Sequence, residues 1–336
     1  MVLTKKFIYA KRVEGEPKET DFSLIEYDLP VALNNGEVFV EAIYHSVDPY
    51  MRVAMGNHPI GTTMIGGQIA RVVESRNDLY PKDSIIFGQL GWQTHSIFNP
   101  VNNKDSIQTY VLPSFGELSV SLGLGALGMP GNCAFFGFLT VCKPRPGDVV
   151  VITGAAGAIG SLAGQIAKLK GCKVIGLAGS EDKCNRLINE LNFDHAINYK
   201  TQNIPQTFQQ MAPDGIDCFF DNVGGTTSVE IIYKMREFGR ICVCGSISSH
   251  NSDASTVSPV RIVQPAFVTK QLVMEGIQAW QYADKWMDGI QQMLEWVSDG
   301  KIKCCETVTH GFESLPKAFV NMMKGGNFGK AVVKSK

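Results

Sequence analysis

Residues 149–160 read Val149-Val150-Val151-Ile152-Thr153-Gly154-Ala155-Ala156-Gly157-Ala158-Ile159-Gly160, a β-branched run followed by a turn of small residues. The run has the composition of a strand buried on both faces. After the turn, Leu162, Ile166 and Leu169 recur at helical spacing. A strand–turn–helix unit of this kind can hold a pyrophosphate. Small residues let the backbone approach the phosphate oxygens, and the helix start offers free N–H groups and the positive end of its dipole. The spacing is Gly154-x-x-Gly157-x-x-Gly160 rather than G-x-G-x-x-G, so a tight turn that binds no nucleotide is the competing reading.

A second position bears on which dinucleotide such a site would take. An NAD site carries an acid about twenty residues past the first glycines, bonded to the ribose 2′-hydroxyl. Here the next apolar strand, Lys173–Ala178, ends in Ala178-Gly179-Ser180 with no carboxylate at its tip, and Lys183 follows one turn later. A small neutral tip leaves room for a 2′-phosphate and a lysine supplies charge for it, which favours NADPH. Glu181 and Asp182 keep NAD as the rival, and a solvated helix lysine is the plain alternative for Lys183.

These residues need a doubly wound domain to place them. Ser180 is a good N-cap with acids in the first turn after it. Strand-like runs follow at 216–220, 240–244 and 272–277, with helical patterns between them, and this alternation gives a parallel sheet. Residues 1 to 125 differ. Short β-branched runs at 5–9, 22–27, 38–44, 68–73, 83–87 and 92–98 are separated by Gly, Pro and Asn, as in an antiparallel, partly closed β domain. A linking helical region starts at 118–127 and a helix runs from Pro130 to Phe138. Trp280–Val297 reads as one long helix, 306–312 as a strand, 315–324 as a helix and 329–333 as a final strand. That last strand is expected to return to the first domain. The expected organisation is α/β, with a β domain formed by residues 1–125 and 300–336 around a Rossmann domain at 126–299.

Composition narrows the classes further. A chain of 336 residues exceeds one ordinary core, and its 44% hydrophobic and 19% charged residues describe a soluble globular protein. A net charge of −1 leaves no electrostatic footprint for nucleic acid or an anionic membrane. Met1-Val2-Leu3-Thr4-Lys5-Lys6 lacks an apolar signal core, and no run reaches the length of a membrane span. The nine cysteines are then expected as free thiols in a reducing compartment, the cytoplasm, and no C-x-x-C spacing among them suggests a metal site.

The residues also carry a resemblance. Ser46-Val47-Asp48-Pro49-Tyr50-Met51-Arg52, Gly91-Trp92-Gln93-Thr94-His95, Gly128-Met129-Pro130-Gly131, the glycine turn, Asn198-Tyr199-Lys200, Phe220-Asp221-Asn222-Val223-Gly224-Gly225 and Gly329-Lys330 occur together from residue 44 onward. In this combination the chain resembles the zinc-independent medium-chain dehydrogenase/reductases, in their prostaglandin reductase and alkenal double-bond reductase branch. The resemblance implies a GroES-like β domain beside the Rossmann domain, NADPH as cofactor, and reduction of the carbon–carbon double bond of α,β-unsaturated ketones and aldehydes. It implies that Gly157, Ala158, Ile159 and Gly160 hold the pyrophosphate, with Lys183 and Tyr199 by the 2′-phosphate and Asn222 near the cofactor at a strand end. It places Cys244, Gly245, Ser246, Ile247, Ser248, Ser249 and His250, with Ile277, Gln278 and Ala279, beside the nicotinamide, which Asn327 reaches from the C-terminal segment. Dimerisation through the nucleotide domains is implied as well.

Two departures from the branch stand out. His250 follows the Gly245–Ser249 loop where a tyrosine is usual, and the segment after Glu275-Gly276 is short, which puts prostanoid-sized substrates in question. Catalytic zinc takes three protein ligands. Zinc-binding relatives supply a thiolate and a Gly-His-Glu turn, whereas this chain has His45 near the first position and Gly66-Gly67-Gln68 at the second. His45 is expected to be a structural histidine and no metal is expected. Without one, chemistry rests on the cofactor's placement and on hydrogen-bond donors for an enolate oxygen in a dry pocket. The candidates are the cofactor's ribose hydroxyl, Tyr50 and His250. A quinone reductase of the same fold, and a nucleotide-binding protein without turnover, are the rival functions.

Overall fold

The structure is a computed structural model and describes residues 1–100, 109–252 and 259–336. In chain order it contains β1 (Val2–Tyr9), β2 (Phe22–Leu29), β3 (Val38–Ser46), α1 (Tyr50–Ala54), β4 (Gln68–Ser75), β5 (Ile85–Gly88), β6 (His95–Phe98) and β7 (Tyr110–Val111). Then follow α2 (Met129–Phe136), β8 (Val149–Ile152), α3 (Ala158–Leu169), β9 (Lys173–Ala178), α4 (Glu181–Asn189), β10 (His195–Asn198), α5 (Ile204–Met211) and β11 (Ile216–Asp221). The rest is α6 (Gly225–Ile232), β12 (Met235–Val243), α7 (Gln264–Lys270), β13 (Val273–Gly276), α8 (Trp286–Ser298), β14 (Glu306–His310), α9 (Leu315–Met323) and β15 (Lys330–Lys334).

The chain divides into two compact units, residues 1–125 with 306–336, and residues 126–305. Residues 300–305 thus fall in the second unit, not in the first domain where the sequence reading placed them. The cause is local: Lys303 donates its N–H to the Gln165 side chain of α3 at 2.8 Å and accepts from it at 3.1 Å.

In the first unit the strands run β14-β15-β3-β4-β5-β7, with β6 also on β3 and β1-β2 as a separate hairpin. The expected return of the C-terminal strand is seen: β15 pairs parallel with β14 and antiparallel with β3, with Val332 opposite Ser46 and Val333 opposite His45. A core of Phe7, Phe22, Met51, Trp92, Phe319 and Val333 joins the hairpin, α1, α9 and β15. Trp92 is fully buried, with its ring 5.4 Å from Phe22 and 6.0 Å from Phe319.

The second unit is a six-stranded parallel sheet in the order β10-β9-β8-β11-β12-β13. The strand order, not the strand direction, reverses between β8 and β11, and ligands of open α/β sheets lie at the carboxyl ends of the strands flanking such a reversal. All of β8 is buried, as its β-branched run predicts. Alternate residues Val149, Val151, Ile175, Leu177, Phe219 and Ile241 pack on α5 and α6 through Phe208, Ile231 and Ile232.

Helices differ most from expectation. The pattern at 280–297 is not one helix: a 3-10 stretch over Ala279–Lys285 breaks at Tyr282 (φ −111°, ψ 26°), and α8 begins only at Trp286. The helix expected over 130–138 spans 129–136 and then loosens into a wider π turn to Cys142. The linking region holds a 3-10 turn at Val120–Leu124, and β10 and α5 had no strong periodic signal.

One packing detail carries a stability prediction. The Phe193 ring is wedged between α3 and β9, where a Cβ on Gly164 would lie 2.0 Å from it and a Cβ on Gly176 would lie 2.9 Å from it. Overpacking of this kind costs about 1–3 kcal/mol. Gly164→Ala should therefore lower the urea midpoint of the second unit, and an unchanged midpoint would show that the ring can move aside.

Candidate functional site

The turn after β8 is tight and made of small residues. Gly154 adopts φ +59°, a left-handed conformation that favours glycine. Gly160 is needed for closeness, since a Cβ there would sit 2.4 Å from the Gly154 carbonyl oxygen. Gly157 differs: a Cβ on it would meet only that carbonyl, at 3.2 Å, so its other side is open. It is the N-cap of α3, and no side chain caps this helix. The N-terminus, with Ala158, Ile159 and Gly160 in its first turn, is therefore left for an anion.

Across the sheet reversal, Asp221 and Asn222 tie β11 to the same turn. Thr153 Oγ1 donates to Asp221 Oδ1 at 2.7 Å, and Asn222 Nδ2 donates to the Thr153 carbonyl at 2.7 Å. The N–H groups of Val223 and Gly224 also donate to Asp221 Oδ1, at 3.0 and 3.1 Å. The loop from Cys244 to His250 is hung on this edge. Cys244 and Gly245 donate to the Asp221 carbonyl, Ile247 to that of Asn222, and Ser248 to that of Val223 through both its N–H and its hydroxyl. Ser249 Oγ donates back to the Ser246 carbonyl at 2.8 Å, and His250 closes the short turn with its N–H on the Ile247 carbonyl at 3.2 Å. Ile277 donates its N–H to Val243 at 3.0 Å beside this loop, with Ile277 and Ala279 buried and Gln278 exposed.

At the tip of β9 the structure gathers Lys183, Tyr199 and Lys200. A Cβ on Gly179 would lie 2.9 Å from the Tyr199 hydroxyl and 3.3 Å from Lys200 Cε. Lys183 is half-buried, and burial first, then the nearby Lys200, hold its ammonium below the ordinary lysine value, against the opposing pull of Asp182. The half-buried Lys183 and the exposed Lys200 bring two positive charges to one strand tip. Ser180 caps α4 by accepting from the Lys183 N–H at 3.3 Å. Glu181, the acid that supported NAD, already accepts from Asn198 Nδ2 at 3.0 Å and from Thr201 Oγ1 at 3.4 Å. Lys200 and Asp221 were missing from the residues singled out, though both lie inside quoted motifs. Only their neighbours in space reveal them.

Tyr50 and Asn327 lie in the first unit, and the other candidates lie in the second. Tyr50 opens α1, partly buried against the core that holds Met51 and Trp92. Asn327 Nδ2 donates to the Gly329 carbonyl at 2.7 Å, just before β15.

Two family models match the chain, one for the N-terminal domain of oxidoreductase over residues 5–105 and one for zinc-binding dehydrogenase over residues 158–298. Prostaglandin reductase 1 of Mus musculus is 44% identical over 338 residues, covering 100% of both chains. The chain belongs to the zinc-independent medium-chain dehydrogenase/reductases. It is also similar to the 2-alkenal reductase (NADP(+)-dependent) of Nicotiana tabacum, 35% identical over 99% of this chain and 97% of that one. Among solved structures, CurA from Vibrio vulnificus in complex with NADPH matches with a TM-score of 0.91 at 32% identity, covering 99% of each chain.

In this medium-chain dehydrogenase/reductase the residues weighed as zinc ligands serve the framework. His45 is fully buried, with Nε2 3.1 Å from the Gln93 carbonyl and Nδ1 3.2 Å from Ser335 Oγ. The carbonyl can only accept, so Nε2 carries the proton and Nδ1 accepts from the serine. Burial pushes the His45 pKa down from 6.5 to about 4. The Gln68 side chain donates to the Gly91 carbonyl and, at 3.0 Å, to that of Gln93. Among the described residues no three of His, Cys, Asp and Glu gather as a metal site, and no helix there is long and apolar enough to cross a membrane.

Proposed function

We propose that the chain reduces the carbon–carbon double bond of α,β-unsaturated ketones and aldehydes, using NADPH. The cofactor choice rests on one observation above the rest: Lys183, Lys200 and the Tyr199 hydroxyl meet at a strand tip that carries no carboxylate. The free N-terminus of α3 would hold the pyrophosphate, and the loop 244–250 with the segment 277–279 would flank the nicotinamide. When bound, NADPH supplies a hydride for the β-carbon of the substrate. The protein's part is to keep water out and to offer a hydrogen-bond donor where the carbonyl oxygen gains charge, a term worth several kcal/mol in enzymes that preorganise it. Tyr50 and His250 are the side chains proposed for that donor. Ile277-Gln278-Ala279-Trp280 turns straight from β13 into the 3-10 stretch, so little chain is left to wall a long substrate. Enals and enones of medium length should outrun 15-oxo-prostaglandins.

The test is consumption of NADPH and of NADH with 3-nonen-2-one, a 2-alkenal, a 15-oxo-prostaglandin and a small quinone. Faster turnover of the quinone than of every conjugated carbonyl would move the protein to the quinone reductases. Absence of turnover on all of them would leave a binding protein.

We also infer that two copies pair along β13. This is the outer strand of the parallel sheet and is exposed throughout, with Val273 at 57% and Met274 at 42% of full exposure. Edge strands facing solvent are usually blunted by charge or proline, and here Glu275 is the only charge on the strand. Val273→Lys should convert a dimer to a monomer in light scattering, whereas an unchanged mass would place any interface elsewhere.

A further inference from the structure

Lys330 is a charged residue buried almost completely, at 3% exposure, on β15, an interior strand next to the edge strand β14 of the first unit. Its Nζ lies 3.1 Å from Asp48 Oδ1 and donates to the carbonyls of Val47 and Ala331, both at 2.8 Å. Three acceptors match the three donors of an ammonium, so the group is fully satisfied. The other Asp48 oxygen accepts from Ser46 Oγ. The Asp48 carbonyl in turn accepts from Met51 N–H at 3.2 Å, starting the helical turn that Tyr50 opens. On the far side, Arg52 anchors α1 to the Gly15 carbonyl at 2.9 Å. Burial pulls the Lys330 ammonium below the ordinary lysine value, and Asp48 and then Glu306 offset only part of that pull.

A buried charge is expensive to keep, and a hydrophobic replacement is often no less stable. Stability therefore explains this ion pair poorly, while a positional demand explains it well. The lysine stands between the two first-unit residues assigned to the reaction. It grips the turn that leads into Tyr50, and it follows Asn327 by a few residues on a strand entry fixed by the Asn327–Gly329 hydrogen bond.

We propose that Lys330 is a positioning residue: its ammonium, clamped on the Val47 carbonyl and the Asp48 carboxylate, holds the 46–50 turn on β15 and thereby sets where Tyr50 stands. This rests on the reading of Tyr50 as a donor to the substrate oxygen. It adds a specific dependence, in which the lysine acts on turnover and not on cofactor affinity.

The experiment compares Lys330→Met, Tyr50→Phe and the double variant in the full chain, with 3-nonen-2-one as substrate. Lys330→Met should lower kcat about tenfold, since small displacements of a positioned group are costly. Its dissociation constant for NADPH, read by fluorescence quenching, should stay within about threefold, the mark of lost positioning rather than lost cofactor binding. On a Tyr50→Phe background the same change should cost nothing further. If kcat survives Lys330→Met, or if the two losses multiply, the positioning role is wrong while the function of Tyr50 stands. If Tyr50→Phe alone leaves kcat unchanged, the assignment of Tyr50 fails and the role of Lys330 goes with it. Should Lys330→Met not fold, the nearly isosteric Asp48→Asn removes the charge partner, and the same comparisons decide.

Discussion

Replacing Lys183 by alanine should cut kcat/KM for NADPH by about tenfold to a hundredfold and leave that for NADH within about threefold. The magnitude follows from the 1.5–3 kcal/mol typical of hydrogen bonds to charged groups. The selectivity follows from place: Lys183 sits with Tyr199 and Lys200 at the tip of β9, away from the glycine turn that both dinucleotides would share. Lys200→Ala should act in the same direction but less, because Lys200 is exposed and its charge is screened. Initial rates with each cofactor at saturating enone make the check. A parallel fall for NADH and NADPH would mean that the lysine supports the fold and not the 2′-phosphate.

Mild acid should destabilise the first unit through His45. The unfolded chain takes up a proton on this residue near pH 6.5, while the buried ring resists protonation down to about pH 4. Between those values the unfolded state binds more protons, so stability is full above pH 6.5 and is lost as pH falls toward 4. The span corresponds to about 3 kcal/mol when complete. His95, in the same unit, is also shifted down by burial and adds to the same slope. The contribution of His45 is therefore the difference between wild type and His45→Gln in urea unfolding at pH 7.5 and pH 5. Equal losses in the two proteins would show that His45 is not the group responsible.

The parallel sheet and the tight glycine turn were legible in the sequence because both rest on local signals. The β-branched run of β8, the glycines and the cap at Ser180 announce themselves within a few residues. The return of β15 to the first unit was also readable, from a short apolar run after Gly329. What stayed hidden depends on neighbours in space. Lys200 matters because it folds beside Lys183, Asp221 because its carboxylate collects Thr153, Val223 and Gly224, and Lys330 because β15 lands against the turn at Val47. The break at Tyr282 inside an apolar-periodic stretch shows the reverse failure, where good helical spacing hides a change of backbone path. The boundary near residue 305 was misplaced for a similar reason, since Gln165 captures Lys303 across 138 positions.

The place of β15 between β14 and β3 has a consequence for biosynthesis. Every strand of the parallel sheet lies between residues 149 and 276, so that unit can close while the ribosome is still adding the tail. The first unit cannot complete its sheet so early, because β14 joins it only through β15, although β3 already pairs with β4 and β6. Pairing across so many intervening residues is slow as well as late. Loss of β15 would therefore leave an open sheet edge in a nascent chain whose parallel-sheet unit had already matured, a mark for proteolytic clearance rather than slight weakening.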